Sequence, residues 1–168
     1  THGGLSTKTL ETSLDSLNQQ LKAELIGYTG SWQKLINRKL LPPHTDFSVR
    51  YPIVNSIKQS TITREFLNTT DDLLYSIDSP TWYRGNAMCH PLFEAQLLEE
   101  VLQQWGATTL WVGHTSADTV RQRFDQKLIL MDTGMLNSVY GGQPIYAHIF
   151  GAQTKANNSE PWQFVNAN

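Results

Sequence analysis

The stretch HPLFEAQLLEEVLQQWGATTLWVGHT, His90 to Thr115, holds the clearest structural signals of the chain. Pro91 suits the first position of a helix, where its missing N–H removes no bond. Glu94 favours the positive end of the helix dipole. Apolar side chains then recur with a helical period until Gly106, at Leu97, Leu98, Val101, Leu102 and Trp105. The β-branched and aromatic run from Thr108 to Val112 predicts a strand, with His114 just beyond its end.

Helical signals dominate the first half of the chain. Leucines spaced by three and four residues, from Leu10 to Leu25, predict a first helix with Ser6 or Thr7 as its N-cap and Gly27 as its end. Further helices are predicted over Trp32 to Leu40, which Pro42 and Pro43 follow, and over Thr63 to Ser76. Residues 44–61 are expected to be irregular, and residues 79–91 to form a loop.

Strands are predicted mainly in the last third of the chain. Besides the strand ending at Val112, the apolar runs Lys127 to Met131, Ile145 to Phe150 and Trp162 to Val165 have strand character, with a turn at Asn157 to Ser159. This order predicts an α/β fold in which part of the sheet is antiparallel.

Composition narrows the class of protein. The 168 residues fit one domain, and 39% hydrophobic with 17% charged residues is typical of a globular chain. A formal net charge of −2 gives no basic signal for nucleic acid, and no apolar run reaches the roughly 18 residues of a membrane span. Cys89 is the single cysteine, which excludes an internal disulfide and is expected to be a small buried residue.

Two histidines stand beside glycines, His2 in THGGLS (Thr1 to Ser6) and His114 in VGHT (Val112 to Thr115). Neutral imidazole is the commonest metal ligand in proteins, and a neighbouring glycine lets an ion or substrate approach the backbone. The alternative is that each is a loop histidine hydrogen-bonded to a neighbour.

Several segments together resemble the calcineurin-like metallophosphoesterases, in the branch called Shewanella-like protein phosphatases. They occur in the family's order, with a helix between the second and third: THGGLS, PTWYRG (Pro80 to Gly85), VGHT, RFDQKLILMDTGM (Arg123 to Met135) and VYGGQP (Val139 to Pro144). The resemblance is poorest over residues 44–79. The family motifs D-x-H, G-D-x-x-D-R-G and G-N-H-[ED] are absent, since Ala87 and not histidine follows Asn86.

For the fold, the resemblance implies the C-terminal half of a four-layer α/β/β/α sandwich, with residues 1–168 forming part of a single metallophosphoesterase domain. The N-terminal half, with the remaining metal ligands, would then lie outside the chain. Alone, this half would expose sheet edges and an apolar face. The expected partner is its own N-terminal half, held after a cleavage before Thr1, or a second copy.

For the site, the resemblance implies a metal-dependent phosphomonoester hydrolase that acts on a phosphorylated protein or a small phosphomonoester. His2 and His114 would be ligands of one of two divalent metal ions, manganese, iron or zinc. Arg84 would bind the substrate phosphate, and Tyr140 would lie at the rim of the site. A surface role is the alternative for Arg84, and a packing role at a strand end for Tyr140. A non-catalytic binding module and a nucleotide-directed phosphohydrolase remain the alternative functions.

Overall fold

The structure, a computed structural model, describes residues 1–150 and 162–166. The predicted turn at Asn157 to Ser159 lies outside the described residues. The helices are α1 Leu14–Asn37, α2 Phe47–Ser56, α3 Thr61–Asn68, α4 Gly85–Met88, α5 Pro91–Gln104 and α6 Asn137–Tyr140, with 3₁₀ turns at Thr7–Glu11, Thr69–Asp71 and Leu73–Tyr75. The strands are β1 Leu110–Val112, β2 Arg121–Arg123, β3 Leu128–Leu130, β4 Ile145–Ile149 and β5 Trp162–Asn166.

The strands form a mixed three-stranded sheet and a separate hairpin. The sheet has the order β1-β3-β2, with β1 parallel and β2 antiparallel to β3. Strands β4 and β5 pair in antiparallel fashion, with Ala147 opposite Phe164. The aromatic rings of Trp111 in β1 and Trp162 in β5 meet edge to face, with centroids 5.3 Å apart. The predicted mixture of helix and sheet, with an antiparallel part, is therefore present.

Helix α5 covers the three-stranded sheet and completes the first hydrophobic core. Its buried side chains pack with those of β1 and β3 and with Leu5, in the cluster Leu5, Leu98, Val101, Leu102, Leu110, Val112, Leu128 and Leu130. All three residues of β3 are buried, as expected for the central strand. The start of the chain thus belongs to the same core as the helix and strand predicted most clearly from the sequence.

Helices α1, α2 and α3 enclose a second core rich in aromatic residues. Its buried members are Tyr28, Leu35, Leu41, Val54 and Phe66. The ring of Tyr28 lies 5.5 Å from that of Phe66, and the Arg50 guanidinium stacks 3.8 Å above the ring of Trp32. Arg50 also donates to the Tyr28 hydroxyl at 2.7 Å. The helical unit therefore has an interior of its own.

The prediction that a first helix ends at Gly27 is wrong. Helix α1 continues through Gly27 and Gly30 to Asn37, and so includes most of the second helix predicted over Trp32 to Leu40. A glycine in an exposed helix interior costs only about 1 kcal/mol relative to alanine. The buried face of the helix continues past both glycines, through Tyr28, Ser31 and Leu35. Burial of these side chains outweighs the local preference for a break.

The prediction of irregular structure over residues 44–61 is also wrong, because helix α2 lies there with Pro52 inside it. Asp46 caps this helix by accepting a hydrogen bond from the Ser48 amide at 2.9 Å. The helix predicted over Thr63 to Ser76 is shorter than expected and continues as two 3₁₀ turns. Strand β2 was missed, and the predicted loop 79–91 contains the short helix α4. None of the helices that the structure describes is long and apolar enough to cross a bilayer.

Candidate functional site

The two histidines singled out in the sequence lie together, although 112 positions separate them. Nε2 of His2 is 2.9 Å from Nδ1 of His114. The ring centroids are 4.5 Å apart and the ring planes are inclined by 51°. Two ring nitrogens therefore face each other at the end of β1.

Backbone pairing beside β1 positions His2. The Gly113 amide donates to the carbonyl of His2 at 2.9 Å, and the nitrogen of Thr1 donates to the carbonyl of Trp111 at 2.8 Å. On its other side, the amide of Gly3 donates to the carbonyl of Pro80 at 2.7 Å. The first residues thus run between the end of β1 and the loop that carries Arg84.

The backbone of His114 turns sharply as it leaves β1. Its φ of +60° lies in the left-handed region, which non-glycine residues rarely adopt and which persists only where surrounding contacts hold it. The Thr115 amide donates to the carbonyl of Gly113 at 2.6 Å, and Arg84 Nη1 donates to the carbonyl of His114 at 3.2 Å. This turn directs the imidazole toward His2.

Arg84 fixes the protonation pattern of the pair. Its Nη2 lies 2.8 Å from Nε2 of His114. Because a guanidinium can only donate, Nε2 of neutral His114 accepts, and the ring proton sits on Nδ1, where it faces Nε2 of His2. Burial, and then the charges of Arg84 and His2, lower the pKa of His114 below its usual value, against a smaller opposing effect of Asp132. The neutral imidazole is the form that can bind a metal ion.

A groove opens beside Arg84. It has a volume of about 620 Å³ and is lined by Tyr75, Ile77, Asp78, Trp82, Tyr83, Arg84, Gly85 and Cys89. The Trp82 ring meets that of His114 edge to face, with centroids 5.3 Å apart. Cys89 is exposed at the wall of this groove and not buried as predicted. The groove therefore combines an aromatic surface with the arginine, and Trp82 separates it from His114.

The glycines of THGG serve a different purpose from the one expected. The left-handed φ angles of the glycines occur at Gly106, Gly134 and Gly141, and not at Gly3 or Gly4. A Cβ atom on Gly3 would lie 2.9 Å from the Tyr83 carbonyl oxygen, and one on Gly4 would lie 2.7 Å from Asn86 Oδ1. These glycines allow two loops to pack backbone against backbone.

Tyr140 is not connected to the other residues of the predicted site. It ends helix α6, is 55% exposed, and packs against Gly134. Within the described residues, no hydrogen bond joins it to Arg84 or to either histidine.

Asp132, in the turn before Gly134, accepts from the Gly134 amide at 3.0 Å and from the Ser116 hydroxyl at 2.9 Å. It braces the loop after His114.

Two buried polar residues of the site were missed. Asn86 is fully buried and accepts from the Leu5 amide at 2.6 Å, while Glu94 is 6% exposed and binds both Asn86 and Tyr83. The sequence predicted Glu94 to be favoured by the helix dipole, and nothing local indicated its long-range partners. The sequence signal that could have indicated Asn86 and Glu94 is the set of glycines at positions 3, 4 and 85, because a glycine lets another segment of the chain approach closely. His90 caps α5 by accepting from the Leu92 amide at 3.2 Å.

The histidine pair lacks further ligands within the described residues. Among residues 1–150 and 162–166, no group of three or more His, Cys, Asp or Glu side chains is arranged to hold a metal ion.

Comparisons of the chain with protein-family models, with curated proteins and with solved structures gave no match. The geometry of the residues is therefore the basis for assigning a function.

Proposed function

We propose that this chain supplies one half of the site of a metal-dependent phosphomonoester hydrolase. The observation that carries the proposal is the contact between Nε2 of His2 and Nδ1 of His114 at 2.9 Å, with Arg84 bound to the far side of His114. The same chain would contribute the C-terminal half of an α/β/β/α sandwich. Its mixed sheet covered by α5 is compatible with that architecture.

The histidine pair fits part of a metal site. Nitrogen ligands bind zinc at about 2.0–2.1 Å, so two neighbouring donors of one ion lie roughly 3 Å apart. Imidazole suits manganese, iron or zinc in combination with carboxylates. In the metal-free pair one ring proton lies between the facing nitrogens, on Nδ1 of His114, and metal binding there would require this proton to move to Nε2 of the same ring. The donor set is therefore suitable but incomplete.

The remaining ligands would come from outside the chain. The described residues offer no third donor at the pair, and the proposed source is the N-terminal half of the same domain or a second copy. Exposed apolar side chains give a reason for such a partner, since Leu92 and Phe93 at the start of α5 are 84% and 78% exposed. A binuclear centre, when complete, would generate hydroxide near neutral pH and stabilise the attacking and leaving oxygens.

Arg84 is proposed to bind the phosphate. Its fork of N–H donors matches two phosphate oxygens, and its side chain is exposed beside the groove. If Nδ1 of His114 is engaged by a cation, the remaining ring proton sits on Nε2, which can then no longer accept from Arg84. The guanidinium would be released toward the groove. The apolar wall formed by Trp82 and Tyr83 would take the organic part of a phosphorylated protein side chain or a small phosphomonoester.

A non-catalytic binding module is the second candidate. The absence of a third ligand within the described residues favours it, as do the exposed apolar side chains at the start of α5. In that case the His2–His114 contact would be a hydrogen bond that stabilises the loop. A nucleotide-directed phosphohydrolase would use the same groove with a base on the aromatic wall.

The experiment is hydrolysis of an aryl phosphate with manganese, first by the isolated chain and then by the chain supplied with an N-terminal half carrying the three missing motifs. We expect negligible turnover by the isolated chain and clear turnover by the combination. Replacing a residue that hydrogen-bonds to a metal ligand typically costs roughly 10–100-fold. H2N and H114N, which would remove the ligands themselves, should each lower kcat by more than that. H148N, at an exposed position of β4, is the matched control.

Two results would contradict the proposal. Robust hydrolysis by the isolated chain would mean that the ligands are not shared in this way. Full activity of H2N and H114N in the combined protein would remove the metal role of the pair. The R84K variant adds a separate check: it should raise KM more than it lowers kcat, because lysine keeps the charge and loses the two-pronged contact.

A further inference from the structure

A buried polar network lies behind the site. Asn86 is 0% exposed, and its Nδ2 donates to Glu94 Oε2 at 2.8 Å. The Tyr83 hydroxyl donates to Glu94 Oε1 at 2.8 Å. Burial beside this carboxylate raises the pKa of Tyr83 well above its usual range, which keeps the phenol in its donating form. Each oxygen of the Glu94 carboxylate is thus matched by a neutral donor.

The network joins the segments that carry the functional side chains. Tyr83 and Asn86 flank Arg84 in the sequence, so both of their bonds hold the loop from which Arg84 extends. Asn86 Oδ1 also accepts from the amide of Leu5, three residues after His2. Glu94 lies in the first turn of α5, the helix that packs on the sheet leading to His114. One carboxylate on the central helix therefore connects to both loops.

The packing around Gly85 leaves no room for a side chain. A Cβ atom on Gly85 would lie 2.7 Å from Glu94 Oε1 and 2.2 Å from the Tyr83 hydroxyl oxygen. The Arg123 guanidinium closes the opposite side by donating to the carbonyls of Asn86 and Cys89, each at 2.5 Å. A network packed this tightly transmits small displacements of one member to the others.

We propose that Glu94 is a positioning residue for the site. By holding Tyr83 and Asn86, it fixes the guanidinium of Arg84 on Nε2 of His114 and fixes the first segment of the chain, which carries His2. It touches neither substrate nor the histidines itself. The importance of Glu94 for catalysis rests on the proposed function. Its effect on the positions of Arg84 and His2 can be tested without metal or substrate.

The readout is the tautomer of His114. In the full chain, at a pH where both imidazoles are neutral, long-range nitrogen–proton NMR spectra should show His114 with its proton on Nδ1 and Nε2 as a hydrogen-bonded acceptor. In E94Q the oxygen of the new amide can accept from Asn86, but its nitrogen then faces the Tyr83 hydroxyl, which must reverse from donor to acceptor and so lose the acceptor for its own proton. We expect His114 to lose the single-tautomer pattern. The matched control E100Q removes an exposed carboxylate from the same helix and should leave the spectrum unchanged.

A second substitution should rescue the first. The double variant N86D/E94Q exchanges carboxylate and amide between the loop and α5, so that the new carboxylate at position 86 accepts from both Leu5 and the new amide at position 94. We expect the wild-type His114 tautomer to return. An unchanged spectrum in folded E94Q, or a double variant no closer to the wild type than E94Q, would overturn the proposal.

A variant that leaves the carboxylate in place covers the possibility that E94Q does not fold. Y83F removes a single hydroxyl and one of the two bonds to Glu94. It should weaken the Nε2 acceptor signature of His114 while keeping the far-ultraviolet circular dichroism of the wild type, and an unaltered signature counts against the proposal. Failure of the proposed function is a distinct outcome, since wild-type chain that neither binds metal nor supports hydrolysis would leave these tautomer results unaffected.

Discussion

Replacement of Gly4 by alanine should destabilise the protein because two loops meet at this residue. The added methyl would lie 2.7 Å from Asn86 Oδ1 and 2.9 Å from the Tyr83 carbonyl oxygen, while ordinary contacts begin near 3.4 Å. One of these neighbours is backbone, and the other accepts from the adjacent Leu5 amide at 2.6 Å. The loops must therefore separate by several tenths of an ångström.

The magnitude follows from two costs. Overpacking of a tight site costs about 1–3 kcal/mol, and a buried amide that loses its acceptor costs about 1–3 kcal/mol. Since partial relaxation retains some of the Leu5–Asn86 bond, we expect a loss of about 2–4 kcal/mol in the free energy of unfolding. For a domain of this length that is a fall in Tm of roughly 5–15 °C.

The assay is urea unfolding followed by tryptophan fluorescence, with wild type and variant fitted to the same m value. Gly27→Ala is the matched control, because a Cβ atom there has no neighbour within 4 Å and Gly27 lies inside α1. It should stabilise the protein by about 0.5–1 kcal/mol. If G4A unfolds at the wild-type urea concentration, or both substitutions change stability in the same direction, the inferred contact between the loops is wrong.

Two other predictions concern the second core and the site. F66A removes a fully buried ring from the helical core and should cost about 3–5 kcal/mol in urea unfolding, whereas F93A, at a 78% exposed position, should change stability by less than about 0.5 kcal/mol. His114 should titrate below its usual pKa by NMR, and R84Q should raise that pKa part of the way back, leaving the lowering effects of burial and of His2. Because the unfolded chain takes up this proton first as pH falls, stability should decrease from about pH 6.5 downward. A wild-type chain whose stability rises over that range would contradict the lowered pKa.

Local signals were sufficient for α5 and β1 and insufficient for α1 and α2. Pro91 and the periodic leucines agree with the tertiary packing of α5, so propensity and burial point the same way. At Gly27 the local preference for a helix end opposes the burial of the residues that follow, and burial of Tyr28 and Leu35 keeps the chain helical. At Pro52, the missing N–H leaves one carbonyl of α2 unbonded, which is tolerated because Val54 is buried and Asp46 caps the helix. Strand β2 carries arginines at an edge, and such polar strands give a weak sequence pattern.

Of the four candidate residues named from the sequence, three meet in the structure and Tyr140 does not, and the residues that support them were not predicted. His2, Arg84 and His114 each stand out beside glycine or aromatic residues, and they meet in the structure. Asn86 and Glu94 do not stand out, because their roles depend on contacts with Leu5 and Tyr83 that only the folded chain creates. Buried polar networks of this kind have no periodic sequence signal.

The central claim is that His2 and His114 bind one cation together, and zinc titration of the chain tests it most directly. The C89S variant should be used so that the exposed thiol does not compete. Ring-nitrogen NMR signals of His2 and His114 should shift in concert and saturate at one equivalent, while His148 in β4 stays unchanged. If one histidine shifts alone, if neither shifts, or if the two saturate at different zinc concentrations, the shared metal site is contradicted.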